Sequence, residues 1–189
     1  MAKPIKPISD AQGLDIAYRQ ANGLYNYGDT LYIAGTKSLG DVYDDLKIPF
    51  HATKYSQRYR DAEKHVANPT LGITNVVGHS LGSSVSLELQ KNYPDLRSTT
   101  YATPTISTPS ETQNTRYRNP ADPISILDRG ASHVSNRVSL NPFKSHSYDN
   151  FKNVSGGSGG WLIAKGGNTP WNPSHSVFTT PPIEQEDLN

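Results

Sequence analysis

The chain has 189 residues, and its 18 lysines and arginines nearly balance its 17 aspartates and glutamates, which gives a formal net charge of +1. It contains no dense basic run that could track a phosphate backbone, so nucleic-acid binding is disfavoured. The chain has no cysteine, which excludes disulfides and thiolate metal sites, and no apolar run of about 18 residues that could cross a bilayer.

The predicted elements follow an opening segment, MAKPIKPISD, that has no apolar stretch and does not resemble a signal peptide. Residues 23–35 predict two short strands around a Tyr-Gly-Asp turn, because aromatic and β-branched residues flank a glycine. In residues 52–66 the less polar side chains recur at spacings of three and four, which predicts an amphipathic helix ended by Asn68-Pro69. This helix should lie on one face of the sheet.

The next segment predicts a strand, a sharp turn and a helix. The strand is the β-branched run 73–77, the turn is Gly78-His79-Ser80-Leu81-Gly82, and the helix covers 83–93 before Pro94. Strands are then predicted at 98–103 and 115–118. A chain that alternates strands and helices in this way is typical of an α/β fold.

Two later segments predict irregular structure. In Asn119-Pro120-Ala121-Asp122-Pro123, two prolines favour a surface-directed loop just past a strand end. Beyond Phe151 the composition changes to paired glycines, Pro-Pro and an acidic end. We therefore predict one domain over residues 1–154 and a Gly/Pro-rich tail over 155–189.

The turn GHSLG matches the pattern G-x-S-x-G, in which glycines allow a turn sharp enough for the serine hydroxyl to project from the sheet. A serine hydroxyl is a weak nucleophile near neutral pH. It needs a histidine to accept its proton and a carboxylate to orient that imidazole. The pattern predicts a nucleophile at Ser80, and a plain glycine-rich turn between strand and helix is the alternative.

The acid and the base should follow Ser80 in the order Ser, Asp, His that α/β-hydrolases use. Asp122 lies just past a predicted strand end, whereas Asp95 directly follows the helix after the turn and Asp128 lies further from any predicted strand. We expect Asp122 to be the acid. A solvated turn residue is the alternative for this aspartate.

Three segments resemble motifs of the class 3 (fungal-type) lipases, in the same order. LYIAGTKSLGDVYDDL is similar to their strand, Gly-Thr/Ser turn and DwxxDL segment, with Ile33-Ala34 where Phe-Arg is usual. VVGHSLGSSVSLEL is similar to their nucleophile elbow, with Ser83 where a second glycine is common, and YRNPADPIS to the stretch with their catalytic aspartate. The resemblance covers about Leu31 to Phe151, and PFKSHSYDNF resembles small lipase-like proteins of some DNA viruses.

The resemblance implies a compact α/β-hydrolase fold: a mostly parallel sheet flanked by helices, with a nucleophile elbow. It implies that Ser80 is the nucleophile, that Asp122 is the acid, and that the backbone N–H groups of Thr36 and Leu81 form the oxyanion hole. The Leu81 N–H also opens a helix, where the dipole favours negative charge. An ordinary turn or capping residue is the alternative for Thr36.

Two histidines fit the position of the base. His133 follows Asp122 through a segment that predicts a surface excursion, and it resembles a second, non-catalytic histidine of class 3 lipases. His146 lies where a Pro-led loop enters a helix predicted from Ser147, which is the place from which the base of that family reaches the elbow. We expect His146 to be the base, together with Ser80 and Asp122.

The resemblance also implies a helical lid at about Lys37 to Phe50. Leu39, Val42, Tyr43 and Leu46 recur at helical spacing and form an apolar stripe, and Ile48 and Phe50 lie beside it. These six side chains predict a substrate-binding surface. Plain core packing is the alternative for this stripe.

The function predicted from these features is hydrolysis of a carboxylic ester, in particular an acyl ester of a lipid at a membrane surface. The reaction would pass through an acyl-Ser80 intermediate and needs no metal or other cofactor. An esterase on soluble esters, an acyltransferase or a peptidase would use the same residues. The non-enzymatic alternative is a binding module on an inactive hydrolase scaffold, which the small size, Ser83 and Ile33-Ala34 leave open.

Overall fold

The computed structural model describes residues 7–36, 56–104, 114–126, 128, 131, 133–134 and 141–151. Over these ranges the chain has an α/β architecture, a mixed sheet flanked by helices. Within them no helix is both long and apolar enough to span a membrane. The predicted lid and the predicted tail lie outside the described residues, so the predicted domain boundary stays a prediction.

The sheet contains six strands among the described residues, in the spatial order of the chain. They are β1 (Leu24–Tyr27), β2 (Thr30–Ile33), β3 (Asn75–His79), β4 (Arg97–Tyr101), β5 (Asn114–Arg118) and β6 (His133–Val134). β1 pairs with β2 antiparallel, and every later pair is parallel. The carboxyl ends of β2 to β6 therefore lie along one edge, which is where open α/β sheets bind ligands.

Helices cover both faces of the sheet. They are α1 (Asp10–Arg19), α2 (Gln57–Val66), α3 (Leu81–Asn92) and the short α4 (Pro142–His146), which a 3-10 turn, Tyr148–Phe151, follows.

Alternation along the strands separates two cores. In β2, Tyr32 packs with α1 and the 3-10 turn, whereas Leu31 and Ile33 pack with α2 and α3. The same alternation places Val77 of β3 on the α1 face and Val76 on the opposite face. Since β2 and β3 have apolar side chains on both sides, the centre of the sheet is buried on both faces, as a mainly parallel sheet requires.

Most of the predicted elements are present, with ends that differ by a few residues. The two strands around the Tyr-Gly-Asp turn are β1 and β2. The strand predicted before GHSLG is β3, and the helix predicted after it is α3. The strands predicted at 98–103 and 115–118 are β4 and β5. The helix predicted over 52–66 is α2, which begins at Gln57, one residue after its N-cap Ser56; residues 52–55 lie outside the described ranges.

The helix predicted from Ser147 is present only as the short 3-10 turn Tyr148–Phe151. The helix in this region is α4, which ends at His146, and the 3-10 turn begins at Tyr148. The Asn150 side-chain amide donates to the carbonyl groups of Lys144, Ser145 and Ser147, so it satisfies the end of α4 and stops its continuation. His146 therefore lies at the last position of a short helix.

Two elements lie where none is predicted. α1 begins at a capping box in which Ser9 and Gln12 satisfy each other's backbone N–H groups. β6 lies in the segment interpreted above as a surface excursion, and its His133 pairs with Tyr117 of β5. A strand of two residues has no periodicity that a sequence could display.

Candidate active site

Ser80 lies between β3 and α3 in a strained backbone conformation. Its φ of 55° and ψ of −125° are uncommon for a residue with a side chain. A Cβ atom at Gly82 would lie 2.0 Å from the carbonyl oxygen of Ile33, so only glycine lets this turn approach β2. The Ser80 N–H donates to the Tyr101 carbonyl at 2.9 Å, which ties the turn to the end of β4.

The structure brings Ser80, Asp122 and His146 together in one hydrogen-bonded chain. His146 Nε2 lies 2.8 Å from Ser80 Oγ, and His146 Nδ1 lies 2.8 Å from Asp122 Oδ2. All three residues are buried, with 3%, 0% and 2% of the Ser80, Asp122 and His146 surfaces exposed. Because the carboxylate accepts the Nδ1 proton, Nε2 is left to accept the serine proton, the arrangement that activates a serine.

The surroundings of Asp122 keep it ionised. Burial raises its pKa, but the hydrogen bond and charge of His146, the Ser125 hydroxyl and the Ile124 N–H together outweigh burial. The Ser125 hydroxyl lies 2.5 Å from Oδ2, and the Ile124 N–H donates to Oδ1 at 2.9 Å. The pKa of Asp122 therefore lies below its ordinary value, and a carboxylate faces the imidazole.

The alternative acids and the alternative base lie in other surroundings. Asp95 is exposed after α3. Asp128 is buried and forms an ion pair with Arg116, at 2.5 Å between Oδ1 and Nη2. His133 lies in β6 opposite Tyr117. The His146 ring contacts both Ser80 and Asp122 in the structure.

Asn119 joins the loop that contains Asp122 to α4, the helix that ends at His146. Its side-chain amide donates to the Ser145 carbonyl at 3.0 Å, and its side-chain oxygen accepts the Ala121 N–H at 3.0 Å. The residue is fully buried. Sequence reasoning assigned it no role, although its place in the motif YRNPADPIS was the available signal.

His79 holds the backbone of His146. Its Nε2 lies 3.1 Å from the His146 carbonyl oxygen, and its Nδ1 lies 2.5 Å from the Tyr18 hydroxyl. A carbonyl only accepts, so Nε2 carries the proton, and burial lowers the pKa of His79 to about 3, which keeps the ring neutral. Nδ1 therefore accepts the Tyr18 proton. Through Tyr18, His79 therefore connects the turn to α1.

Tyr18 is a site residue that sequence reasoning missed. Besides donating to His79, its hydroxyl accepts the Gly35 N–H at 3.1 Å. Burial raises its pKa to about 12, although the Gly35 N–H and the charge of Arg58 oppose this rise. No pattern in the sequence connects Tyr18 to the elbow.

The two predicted oxyanion donors belong to segments that flank Ser80. A Cβ atom at Gly35 would lie 2.8 Å from Ser80 Cβ and 2.9 Å from the His79 carbonyl oxygen, so the turn before Thr36 packs on the elbow. The Thr36 hydroxyl is buried and has no hydrogen-bond partner among the described residues. Leu81 is the first residue of α3, where a backbone N–H has no acceptor within the helix.

Ser83, which stands where class 3 lipases commonly have glycine, has a structural role. Its hydroxyl lies 2.8 Å from the carbonyl oxygens of Gly78 and Tyr101, and it accepts the Tyr101 N–H at 3.1 Å. The side chain is fully buried. Ser83 therefore ties β3 to β4 directly beneath Ser80, and it leaves the geometry of the turn intact.

The predicted substrate-binding residues lie outside the described residues; they are Leu39, Val42, Tyr43, Leu46, Ile48 and Phe50. Within the described ranges, no group of three or more histidine, cysteine, aspartate or glutamate residues is placed to hold a metal ion. No protein-family model matches the chain, and no curated protein matches it. The resemblance to class 3 lipases therefore stays a prediction from three motifs.

Proposed function

We propose that the chain is a serine hydrolase of the α/β-hydrolase fold that cleaves carboxylic esters, most specifically acyl esters of lipids. In this proposal Ser80 is the nucleophile, His146 the general base and Asp122 the acid. The backbone N–H groups of Thr36 and Leu81 form the oxyanion hole. The reaction uses no metal or other cofactor.

The observation that carries the proposal is the chain of two 2.8 Å contacts from Asp122 through His146 to the Ser80 hydroxyl. If the serine, histidine and aspartate only stabilised the fold, nothing would require them to form hydrogen bonds in this order. A non-glycine residue at positive φ supports the same interpretation, because such strain is typical of functional sites. Together these features favour a catalytic serine over a plain glycine-rich turn.

Acylation begins when Ser80 Oγ attacks the ester carbonyl carbon and His146 Nε2 takes the hydroxyl proton. The imidazolium that forms is stabilised by the Asp122 carboxylate. The carbonyl oxygen becomes an oxyanion, which the Thr36 and Leu81 N–H groups stabilise. The intermediate then collapses, the alcohol leaves with the proton from Nε2, and the acyl group remains on Ser80.

Deacylation repeats these steps with water as the nucleophile. His146 Nε2 takes a proton from the water, whose oxygen attacks the acyl carbon, and a second oxyanion forms in the same place. Collapse of this intermediate breaks the bond to Ser80 Oγ, which recovers its proton from Nε2. The products are a free carboxylic acid and the unmodified enzyme.

The choice of a lipid ester rests on the resemblance to class 3 lipases. The same residues would serve an esterase on soluble substrates, and the two differ in the acyl pocket and not in the reaction. The chain length of the preferred ester is therefore the property to measure. We expect higher kcat/KM for p-nitrophenyl octanoate and palmitate than for the acetate, and hydrolysis of phospholipid or triacylglycerol dispersions.

The test begins with a fluorophosphonate probe, which labels activated serines covalently, followed by mapping of the labelled peptide. We expect labelling at Ser80 in the wild-type chain and none in Ser80→Ala. Ser84→Ala is a matched control, because Ser84 lies on the same helix and its hydroxyl contacts none of the three site residues in the structure. Labelling of Ser84→Ala should equal that of the wild type.

The ester panel then measures turnover in the same three proteins. Ser80→Ala should lower kcat by about 10⁴- to 10⁶-fold while the protein stays folded. Full activity in Ser80→Ala would refute the mechanism. A folded wild-type chain that neither reacts with the probe nor hydrolyses any ester would favour the inactive binding module instead.

A further inference from the structure

Arg58 occupies an electrostatically unfavourable position in α2. It is the second residue of the helix, whose N-terminus carries a partial positive charge, and the first turn contains no acidic residue. The N-cap is satisfied by another residue, since the Ser56 hydroxyl accepts the Tyr59 N–H at 3.1 Å. A cation placed in the first turn against the helix dipole therefore needs a compensating interaction elsewhere.

One interaction of the guanidinium is with the turn that follows β2. Arg58 Nη1 donates to the carbonyl oxygens of Ala34 and Gly35, with 2.5 Å between the nitrogen and each oxygen. Gly23 leaves space for the guanidinium, because a Cβ atom there would lie 2.7 Å from Arg58 Cζ. The guanidinium is thus held between the bend before β1 and the turn after β2.

The orientation of this turn follows from peptide geometry. In a planar trans peptide the C=O and the following N–H point in opposite directions, and the described residues contain no cis peptide. Because Arg58 holds the Gly35 carbonyl, the Thr36 N–H is directed away from the guanidinium.

The preceding peptide is fixed at both of its ends. Arg58 holds the Ala34 carbonyl, and the Tyr18 hydroxyl accepts the Gly35 N–H on the opposite side. Gly35 itself has the largest backbone freedom of any residue type. The hydrogen bonds of Arg58 and Tyr18 to the two peptides that flank Gly35 therefore hold this residue in one conformation.

We propose that Arg58 is a positioning residue that fixes the Gly35-Thr36 peptide, so that the Thr36 N–H is preorganised for the oxyanion. The inference rests on the proposed function and names a residue that no motif in the sequence indicates. Preorganised donors stabilise an oxyanion because they need no reorientation during the reaction. Loss of the guanidinium should therefore weaken stabilisation of the transition state more than binding of the ground state.

The experiment compares Arg58→Met with Arg60→Gln, a change of an exposed arginine on the same helix. Using the best p-nitrophenyl ester, we expect Arg58→Met to lower kcat by about 10- to 100-fold with little change in KM. Deleting an oxyanion donor lowers the rate by about 10²- to 10³-fold. The loss of kcat in Arg58→Met should be smaller, because the Thr36 N–H is still present. Arg60→Gln should keep wild-type kcat.

A second readout separates positioning from plain structural support. An alkylboronic acid adds to an active serine as a tetrahedral anion, whereas the free alcohol product binds without an oxyanion. The inhibition constant of the boronic acid should rise in Arg58→Met by the same factor as kcat falls, and that of the alcohol should not change. Free guanidinium at millimolar concentration should restore part of the activity of Arg58→Ala but not that of Ser80→Ala.

If Arg58→Met does not fold, Arg58→Lys replaces it in the same measurements. Lysine keeps the charge but lacks the planar pair of donors, so its kcat should lie clearly below that of the wild type. Wild-type kcat and boronic acid affinity in a folded Arg58 variant would overturn this inference while the proposed function stands. A wild-type chain with no hydrolysis and no probe labelling would overturn the proposed function and this inference with it.

Discussion

The side chain of His79 hydrogen-bonds the main chain of His146, with 3.1 Å between Nε2 and the carbonyl oxygen. His79 directly precedes Ser80, so one residue fixes both the start of the strained turn and the backbone of the residue that contacts the serine hydroxyl. The distance between Ser80 and His146 thus depends on a contact that is outside the proposed triad. Tyr18 extends this connection to α1.

Tyr18→Phe tests the connection to α1. The change removes the donor to His79 and leaves the buried Gly35 N–H without its acceptor, which should cost about 1–3 kcal/mol of unfolding free energy. We also expect kcat to fall about tenfold, as a loss of 1.4 kcal/mol in the transition state would produce. Thermal unfolding and ester turnover measure the two effects.

Tyr25→Phe is the control for Tyr18→Phe. Tyr25 is half-buried in β1, where its ring stacks on Tyr27 and Tyr32 away from the elbow. Its substitution should leave kcat unchanged. Equal kcat values for the two variants would contradict a role for the Tyr18 hydroxyl in the site.

The choice between two histidines is tested by His146→Ala and His133→Ala. Triad members act as a unit, so His146→Ala should lower kcat by about 10⁴- to 10⁶-fold, comparably to Ser80→Ala. His133→Ala should have a small effect, because His133 lies in β6 beside Tyr117. Fluorophosphonate labelling rates and ester turnover would both be measured. The reverse ranking would mean that the base is assigned wrongly, even with Ser80 as nucleophile.

The sequence predicts the central part of the fold because its signals are local. GHSLG lies between a β-branched run and a helical segment, and these became β3, the turn and α3. The irregular loop with Asp122 follows from its prolines. Its predicted direction toward the surface is wrong for Asn119 and Asp122, which are fully buried. Of the histidines that follow Asp122, two lie before the predicted tail, and the sequence offers no distance by which to separate them.

The parts that the sequence does not predict depend on contacts between distant residues. Tyr18 lies 61 positions before His79, and Arg58 lies 23 positions after Gly35. Neither contact leaves a periodicity or a spacing in the sequence. β6 exists because it completes a parallel pair with β5, so its two residues follow the sheet and not their own propensity.

The buried neutral state of His79 predicts a stability that falls in acid. Burial lowers the pKa of His79 to about 3 in the folded chain, whereas an exposed imidazole titrates near pH 6.5. Between these values the unfolded chain binds more protons, so the unfolding free energy decreases as the pH falls. The slope from this residue should reach about 1.4 kcal/mol per pH unit.

Denaturant unfolding of the wild type and of His79→Gln, across this pH range, isolates the contribution of one residue. Glutamine does not titrate, and its side-chain amide can still donate to the His146 carbonyl. The stability advantage of the wild type over His79→Gln should therefore shrink steadily from neutral pH toward acid. A difference that is constant with pH would contradict a neutral, buried His79.

Asp128→Asn tests the second buried carboxylate of the acid loop. Asp128 and Arg116 are both buried, with 0% and 1% of their side chains exposed, and two nitrogens of the guanidinium contact the two carboxylate oxygens. Removing one partner of a buried ion pair leaves an uncompensated charge and should cost about 3–5 kcal/mol of unfolding free energy. The double variant Arg116→Met/Asp128→Leu should recover most of this loss, because it removes both charges.

The same variants distinguish the acid of the triad from its neighbour. Asp128 pairs with Arg116 and not with His146, so Asp128→Asn should keep kcat within a few-fold of the wild type at a temperature where it stays folded. Asp122→Asn should instead lower kcat by about 10⁴-fold, because the amide favours the wrong imidazole tautomer. The unfolding midpoint of each variant, measured beside its kcat, separates loss of folded protein from loss of turnover. If folded Asp128→Asn lost activity and Asp122→Asn kept it, the acid would be Asp128, and the contact between Asp122 and His146 would be structural.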